Sequence, residues 1–272
     1  MTTRDAERMG QLDTIVDTKT YPLAAPSLAA DCAARLDRDG VVTLPGFLRP
    51  ETVAALVAEA EAEADKAFYT ASTHNVYLTP IDESLPADHV FNRQVVSSKG
   101  CICTDQVPGT SALQRLYDDP DFRAFIAAVV GEKALYPYAD SLSSINVHYA
   151  PEGKELNWHF DNSEFAITLL LQKPEGGGAF EYIKDLRDAE AGEMNFEGVA
   201  DLLEGRSTPE VLAIDPGTLV LFRGRNSIHR VTPTQGGRKR ILVVLAYNSE
   251  PGIALSESAR MTFYGRLGQS YA

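Results

Sequence analysis

From Tyr136 onward the chain is cut into short β-rich runs separated by turns that carry glycine or proline, and this spacing constrains the fold more than any other feature. The runs are residues 144–149, 158–159, 165–172, 179–183, 218–222, 227–232 and 240–248. Many short strands at such intervals predict an antiparallel sandwich or barrel. A charged stretch over 185–210 interrupts the series and predicts an insert with a helix at 199–203.

The first half of the chain has a different texture. Residues 1–26 read as a peripheral N-terminal leader ending near Pro22 and Pro26. Leu28, Cys32 and Leu36, four apart, predict a helix over 27–39, which Asp39-Gly40 stops; a short strand is expected over 41–45. Pro50-Glu51 opens an Ala- and Glu-rich helix expected to reach about Phe68 and to buttress the core from outside. Residues 69–110 are rich in turn formers, with a strand expected within 89–96. Apolar Leu113, Leu116, Phe122, Phe125, Ile126 and Val129 predict helix over 111–131, broken at Pro120.

Composition removes several functions. The 272 residues carry a formal charge of −13, which argues against a nucleic-acid or anionic-membrane partner, since such partners call for clustered Lys and Arg. Apolar runs such as 241–247 are strand-sized, and the first residues lack the apolar core of a secretory signal, so a cytoplasmic location is expected. Cys101 and Cys103 have the spacing of a metal pair but no second Cys/His pair beside them. They and Cys32 are read as reduced thiols.

The chemistry concentrates in Asn157-Trp158-His159-Phe160-Asp161-Asn162. In a strand, residues two apart share a face, so His159 and Asp161 could bind one metal; in a helix they would diverge. A His-x-Asp pair alone is a weak signal. His229 strengthens it, because it follows the turn Asp215-Pro216-Gly217 and an apolar strand that could fold back beside the first pair. Two His and one carboxylate on one side of a metal leave positions open for reactants, the facial arrangement of Fe(II) oxygenases. Arg240 opens the strand 240–248, where alternate positions carry Leu, Val and Ala. A guanidinium aimed into an apolar interior needs a carboxylate, and a dicarboxylate ligand would supply one. Arg238, on the same strand face but further out, is its rival.

The order Tyr149, His159-Phe-Asp161, Gly176-Gly-Gly-Ala-Phe180, Pro216-Gly217, His229-Arg-Val and Arg240 resembles the Fe(II)/2-oxoglutarate-dependent dioxygenases over roughly residues 135–250. The earlier Asp39-Gly40-Val-Val and Pro45-Gly46-Phe-Leu resemble the N-terminal part of phytanoyl-CoA-hydroxylase-like members, and the core is prolyl-hydroxylase-like. The resemblance implies a mainly β fold with flanking helices around a double-stranded β-helix, or jelly-roll, cupin-like core. It implies one domain over 27–272: a helical buttress at 27–135, the core at 136–250 and a C-terminal extension at 251–272. It implies Fe(II) held by His159, Asp161 and His229, 2-oxoglutarate anchored by Arg240, and O2 as the third reactant. Tyr149 stands where relatives often contact the cosubstrate, with a plain core tyrosine as the alternative.

The phrases His89-Val-Phe-Asn-Arg93, Gly178-Ala-Phe-Glu-Tyr182 and Ala246-Tyr-Asn248 are similar to enzymes of free amino acids, among them the carrier-independent amino-acid halogenases and their hydroxylating relatives. The halogenases carry Gly or Ala where this chain has Asp161, and chloride fills the vacancy; Asp161 therefore favours hydroxylation. The implied substrate is a small molecule, a free and polar or basic amino acid. Arg93 is a candidate for its carboxylate with help from Asn248, and Asp140 for its ammonium, each with a structural alternative. His74, His89 and His148 have no ligand partner at useful spacing. Desaturation or cyclisation by the same cofactors, and a metal-binding cupin-like protein without oxygenase activity, are the other readings; only the latter has no use for Arg240.

Overall fold

The structure, a computed structural model, describes residues 12–271. Pro26 starts the first helix, α1 (Pro26–Asp39), where its missing N–H costs nothing, and Gly40 ends it in a left-handed conformation with φ of 72°. The chain turns directly into β1 (Val41–Leu44). Pro50 again begins α2 (Pro50–Glu63), which stops short of Phe68 because the backbone passes through a single tight turn at Ala64–Lys66 and enters a strand. Asp119 caps α4 (Pro120–Val130), accepting from the N–H groups of Asp121 and Phe122, and its extended backbone before Pro120 separates this helix from α3 (Ala112–Asp118).

Two antiparallel sheets face one another. The larger has seven strands in the order β1, β10 (Leu219–Phe222), β6 (Ala166–Gln172), β13 (Arg240–Leu245), β4 (Ile145–Ala150), β3 (Val95–Ile102) and β2 (Phe68–His74). The smaller has four, β5 (Leu156–His159), β11 (Ile228–Val231), β8 (Phe180–Ile183) and β9 (Glu210–Leu212). A two-stranded ribbon of β7 (Gly176–Gly177) and β12 (Thr234–Gln235) completes the strands.

Strand alternation divides the large sheet into two environments. Ile145, Val147 and Tyr149 of β4, and Ile241, Val243 and Leu245 of β13, join Leu116, Phe122 and Ile126 of the helices in the main core. Burying each such side chain is worth about 1.5–3 kcal/mol, which is what holds α1 to α4 against the sheet. The intervening residues His148, Arg240, Leu242 and Val244 turn the other way and line a cavity between the sheets. On the far side of the small sheet, Val199 and Leu202 of α5 (Phe196–Leu203) cover Trp158, Phe160 and Ile228. The last helix, α6 (Glu257–Tyr264), packs on β2 and β3 and buries Arg260 and Tyr264. No described helix is long and apolar enough to cross a membrane.

Two expectations are corrected. The first eleven residues of the expected leader lie outside the described residues, but the rest of it is not peripheral: Leu12, Ile15, Val16 and Leu23 are core residues. Val16 forms a β-bridge with Leu48, and the Arg49 N–H donates to the Ile15 carbonyl. The stretch over 69–110 contains the edge strand β2, and only the end of the strand expected at 89–96 is extended; Val90–Asn92 is a tight helical turn. The alternate residues Thr70, Ser72 and His74 of β2 line the cavity, so no apolar period marks it as a strand.

Candidate functional site

His159 ends β5 and lies directly opposite His229 of β11 in the antiparallel register. Opposed residues of such a pair share a face, so both imidazoles enter the cavity from one sheet, with ring centroids 4.2 Å apart. The chain holds each ring by its Nδ1: that of His159 donates to the Asn157 carbonyl at 2.7 Å, and that of His229 to the Ser227 carbonyl at 3.0 Å. This leaves both Nε2 atoms as lone-pair ligands. Burial, reinforced by the neighbouring His229 ring, pushes the pKa of His159 well below the ordinary histidine value, so the ring is neutral.

Asp161 lies just beyond the end of β5. Its N–H donates to the Gly224 carbonyl at 3.0 Å, which fixes the turn, and its Oδ1 stands 3.6 Å from the Nε2 of each histidine. Its Oδ2 is buried with no hydrogen-bond partner. The three ligand atoms lie within 4.8 Å of one another. A Cβ on Gly224 would lie 1.9 Å from Oδ2, so the carboxylate occupies space that only glycine leaves open. Phe180 stacks on the His229 ring at 5.5 Å and Phe222 meets it edge-on at 4.8 Å, an apolar wall that fixes the ring and keeps water from its back. Arg187 braces the same turn, with Nε donating to the Arg225 carbonyl and the guanidinium 4.3 Å from the Phe160 ring.

The cavity has a volume of about 760 Å³, and both histidines, Asp161 and Arg240 line it. Arg240 opposes Ala150 at the start of β13 and is 7% exposed. Among the described residues nothing pairs with its guanidinium, and burial pushes its pKa down to about 10. An unpaired guanidinium in an enclosed pocket is costly unless a ligand answers it. Its rival Arg238 is exposed and donates to the Pro174 carbonyl, outside the cavity. The orphaned carboxylate oxygen, the two oriented Nε2 atoms and the unpaired guanidinium fit a divalent metal and a bound carboxylate.

Other expected site residues lie elsewhere. Tyr149 is on the helix-facing side of β4, fully buried, and its hydroxyl donates to the Ala60 carbonyl, so it is a core tyrosine. Arg93 pairs with Glu204 at 3.4 Å on the surface. Asp140 accepts from the N–H groups of Leu142, Ser143 and Leu255 and holds a turn together. Asn248 bridges to Tyr136 through its backbone. None of the four lines the cavity.

In their place the cavity holds Lys99, His148 and His74, which sequence reasoning passed over. The Lys99 Nζ lies 3.3 Å and 3.4 Å from the two ring nitrogens of His148. His74 contacts the Ser97 hydroxyl and approaches the His159 ring edge-on at 6.3 Å. A lysine inside the strand Val95–Ile102, at the parity of buried Ser97 and Cys101, was the available signal.

A search of curated proteins finds no match to the chain. Among solved structures, the epimerase SnoN from nogalamycin biosynthesis, in complex with Fe3+, alpha ketoglutarate and nogalamycin RO, matches with a TM-score of 0.56 at 16% identity, over 91% of this chain and 97% of that one. AviO1 from Streptomyces viridochromogenes Tue57 matches with a TM-score of 0.54 at 17% identity, over 84% and 97%. A prolyl hydroxylase from Trichoplax adhaerens, in complex with a hypoxia inducible factor peptide fragment, matches with a TM-score of 0.53 at 15% identity, over 82% and 90%. These likenesses identify the two facing sheets as a double-stranded β-helix core. The sequence profile of the family described as Halogenase D matches residues 24–262, and the chain belongs to that family, within the Fe(II)/2-oxoglutarate-dependent oxygenases.

Proposed function

We propose that the protein hydroxylates an unactivated C–H bond of a small molecule, a free amino acid, using Fe(II), 2-oxoglutarate and O2. The observation that carries this reading is the convergence in one cavity of two oriented Nε2 atoms, an orphaned carboxylate oxygen and an unpaired guanidinium.

His159, Asp161 and His229 would hold the iron from one side, leaving positions toward the cavity for reactants. Arg240 would receive the distal carboxylate of 2-oxoglutarate in a bidentate pair. Bound there with 2-oxoglutarate and O2, iron supplies the oxidant that removes a hydrogen atom from carbon and returns oxygen to it. The chain itself positions and excludes. Phe180, Phe222 and Leu242 wall the metal side against water, while the opposite wall, on β2 and β3, presents hydroxyls for orienting a polar substrate. No residue need act as a general base.

Asp161 separates hydroxylation from halogenation within this family. Its carboxylate would fill the position that resembling halogenases leave to chloride, and the absence of a side chain at Gly224 leaves space for it. The test is succinate release. Protein loaded with Fe(II) and given 2-oxoglutarate, O2 and pooled amino acids should form succinate in step with loss of one amino acid. Iron-loaded protein that forms no succinate under any of these conditions would favour a metal-binding protein without oxygenase activity. A product two hydrogens lighter would favour desaturation or cyclisation.

A further inference from the structure

Lys99 is a half-buried ammonium in the cavity wall that forms no ion pair with a carboxylate among the described residues. It stands midway along β3 at the parity that faces the cavity, two residues beyond Ser97. Its one hydrogen-bond partner among the described residues is His148. The Cys101 thiol, held low by its contacts with Cys103 and His148 and by the Lys99 charge, and Asp161 act on it only at longer range. Burial holds both Lys99 and His148 below their ordinary pKa values, so the imidazole is neutral. An ammonium has three donors and a neutral imidazole offers one acceptor, which leaves donors for a ligand. Among the described residues Asp161 is the only carboxylate lining the cavity, against two cations, Lys99 and Arg240.

The inference rests on the proposed function and deepens it. With iron, Asp161, Arg240 and the two carboxylates of 2-oxoglutarate together, the charges cancel and the positive charge of Lys99 is left over. An enclosed charge is stable only when paired. We propose that Lys99 is the specificity-determining residue of the site, receiving the carboxylate of the substrate, and that the pocket admits amino acids with neutral side chains while rejecting basic ones. The zwitterion's own ammonium leaves one positive charge among these groups, to be met by neutral oxygens; a basic side chain would add a second, with no acid among the described lining residues other than the one committed to the metal. The rest of the lining suits a neutral guest. Thr70, Ser72 and Gln94 offer oxygens to an α-ammonium, and Leu78, Ile81 and Phe263 offer apolar surface. Of the polar and basic amino acids expected from the sequence, this proposal takes those with neutral side chains.

The test uses protein loaded with zinc, which cannot turn over, and calorimetric titration, first with 2-oxoglutarate and then singly with leucine, glutamine, lysine, arginine and isoamylamine, which is leucine without its carboxylate. A neutral amino acid should bind, and lysine, arginine and the amine should bind about tenfold or more weakly. Lys99→Met should weaken the bound amino acid about 10- to 100-fold, the loss of one charge-assisted hydrogen bond, with 2-oxoglutarate affinity within about threefold. Lys99→Arg should restore part of the loss, and retained 2-oxoglutarate binding shows that the variants fold. Lysine or arginine binding as tightly as the neutral amino acids would overturn the proposal. So would a Lys99→Met variant that loses 2-oxoglutarate instead of amino acid, or wild-type protein that takes 2-oxoglutarate but none of the amino acids. Wild-type protein that binds no 2-oxoglutarate would overturn the proposed function first, and this inference with it.

Discussion

His159 and His229 face each other in direct register across β5 and β11, and each is turned by the carbonyl two residues before it, at 2.7 Å and 3.0 Å. The same local contact, made twice on neighbouring antiparallel strands, aims two Nε2 atoms at one oxygen of Asp161. The orientation is backbone-made and does not wait for the metal.

Removing a ligand should therefore abolish metal binding without unfolding the sheet. Asp161→Ala or His229→Ala is expected to lower Fe(II) affinity about 100-fold or more, measured by metal content after dialysis. A melting temperature of the metal-free variant close to wild type would show that the loss is local.

Gly224→Ala is a sharper probe, because it changes no ligand. The added Cβ would fall 1.9 Å from the Asp161 Oδ2, so the carboxylate must move by an ångström or more. Turnover is expected to fall about 100-fold. Gly109→Ala, with no atom within 4 Å of the new Cβ, serves as the control and should be silent.

Arg240→Met should weaken 2-oxoglutarate binding by about 2–5 kcal/mol, at least some thirtyfold, as titration can measure. The ligand-free variant should melt no lower than wild type, since an uncompensated buried charge is exchanged for a side chain of similar length. Added 2-oxoglutarate should raise the melting temperature of metal-loaded wild type and not of the variant. Arg238→Met and Tyr149→Phe should leave this affinity unchanged, because neither side chain reaches the cavity.

The fold followed from the sequence wherever a segment had one clear environment. The seven short runs after Tyr136 all contain strands because their apolar alternation reports a core on one side. The convergence of His159, Asp161 and His229 was legible because their spacing obeys strand geometry, and the inward-facing Arg240 because it interrupts an apolar face. Residues that line the cavity break the same rules. Thr70, Ser72 and His74 make β2 look like a loop, and Lys99 and His148 look like exposed polar residues. Tyr149 was chosen by resemblance, and Arg93, Asp140 and Asn248 by resemblance together with a zwitterion's need for both signs of charge; neither ground says which way a side chain turns. Asp140 is a turn lock and Tyr149 a core hydrogen bond.

Acid should destabilise the metal-free protein earlier than its carboxylates alone would require. Burial first, then the Lys99 charge, holds the pKa of His148 below 6.5, and burial does the same to His159. Below about pH 6.5 the unfolded chain then binds more protons than the folded one, so stability is full above that pH and is lost as the pH falls toward the folded pKa values. Melting temperature measured in chelator should drop between about pH 7 and 5, and His148→Gln should flatten the drop.

The most direct measurement is product mass from iron-loaded protein under heavy-isotope O2 and saturating chloride, with succinate followed in parallel. The expected result is succinate matched by a product that carries one oxygen atom from O2, indifferent to chloride. A chlorinated product would contradict the role given to Asp161, and succinate with no change in any amino acid would contradict the substrate reading.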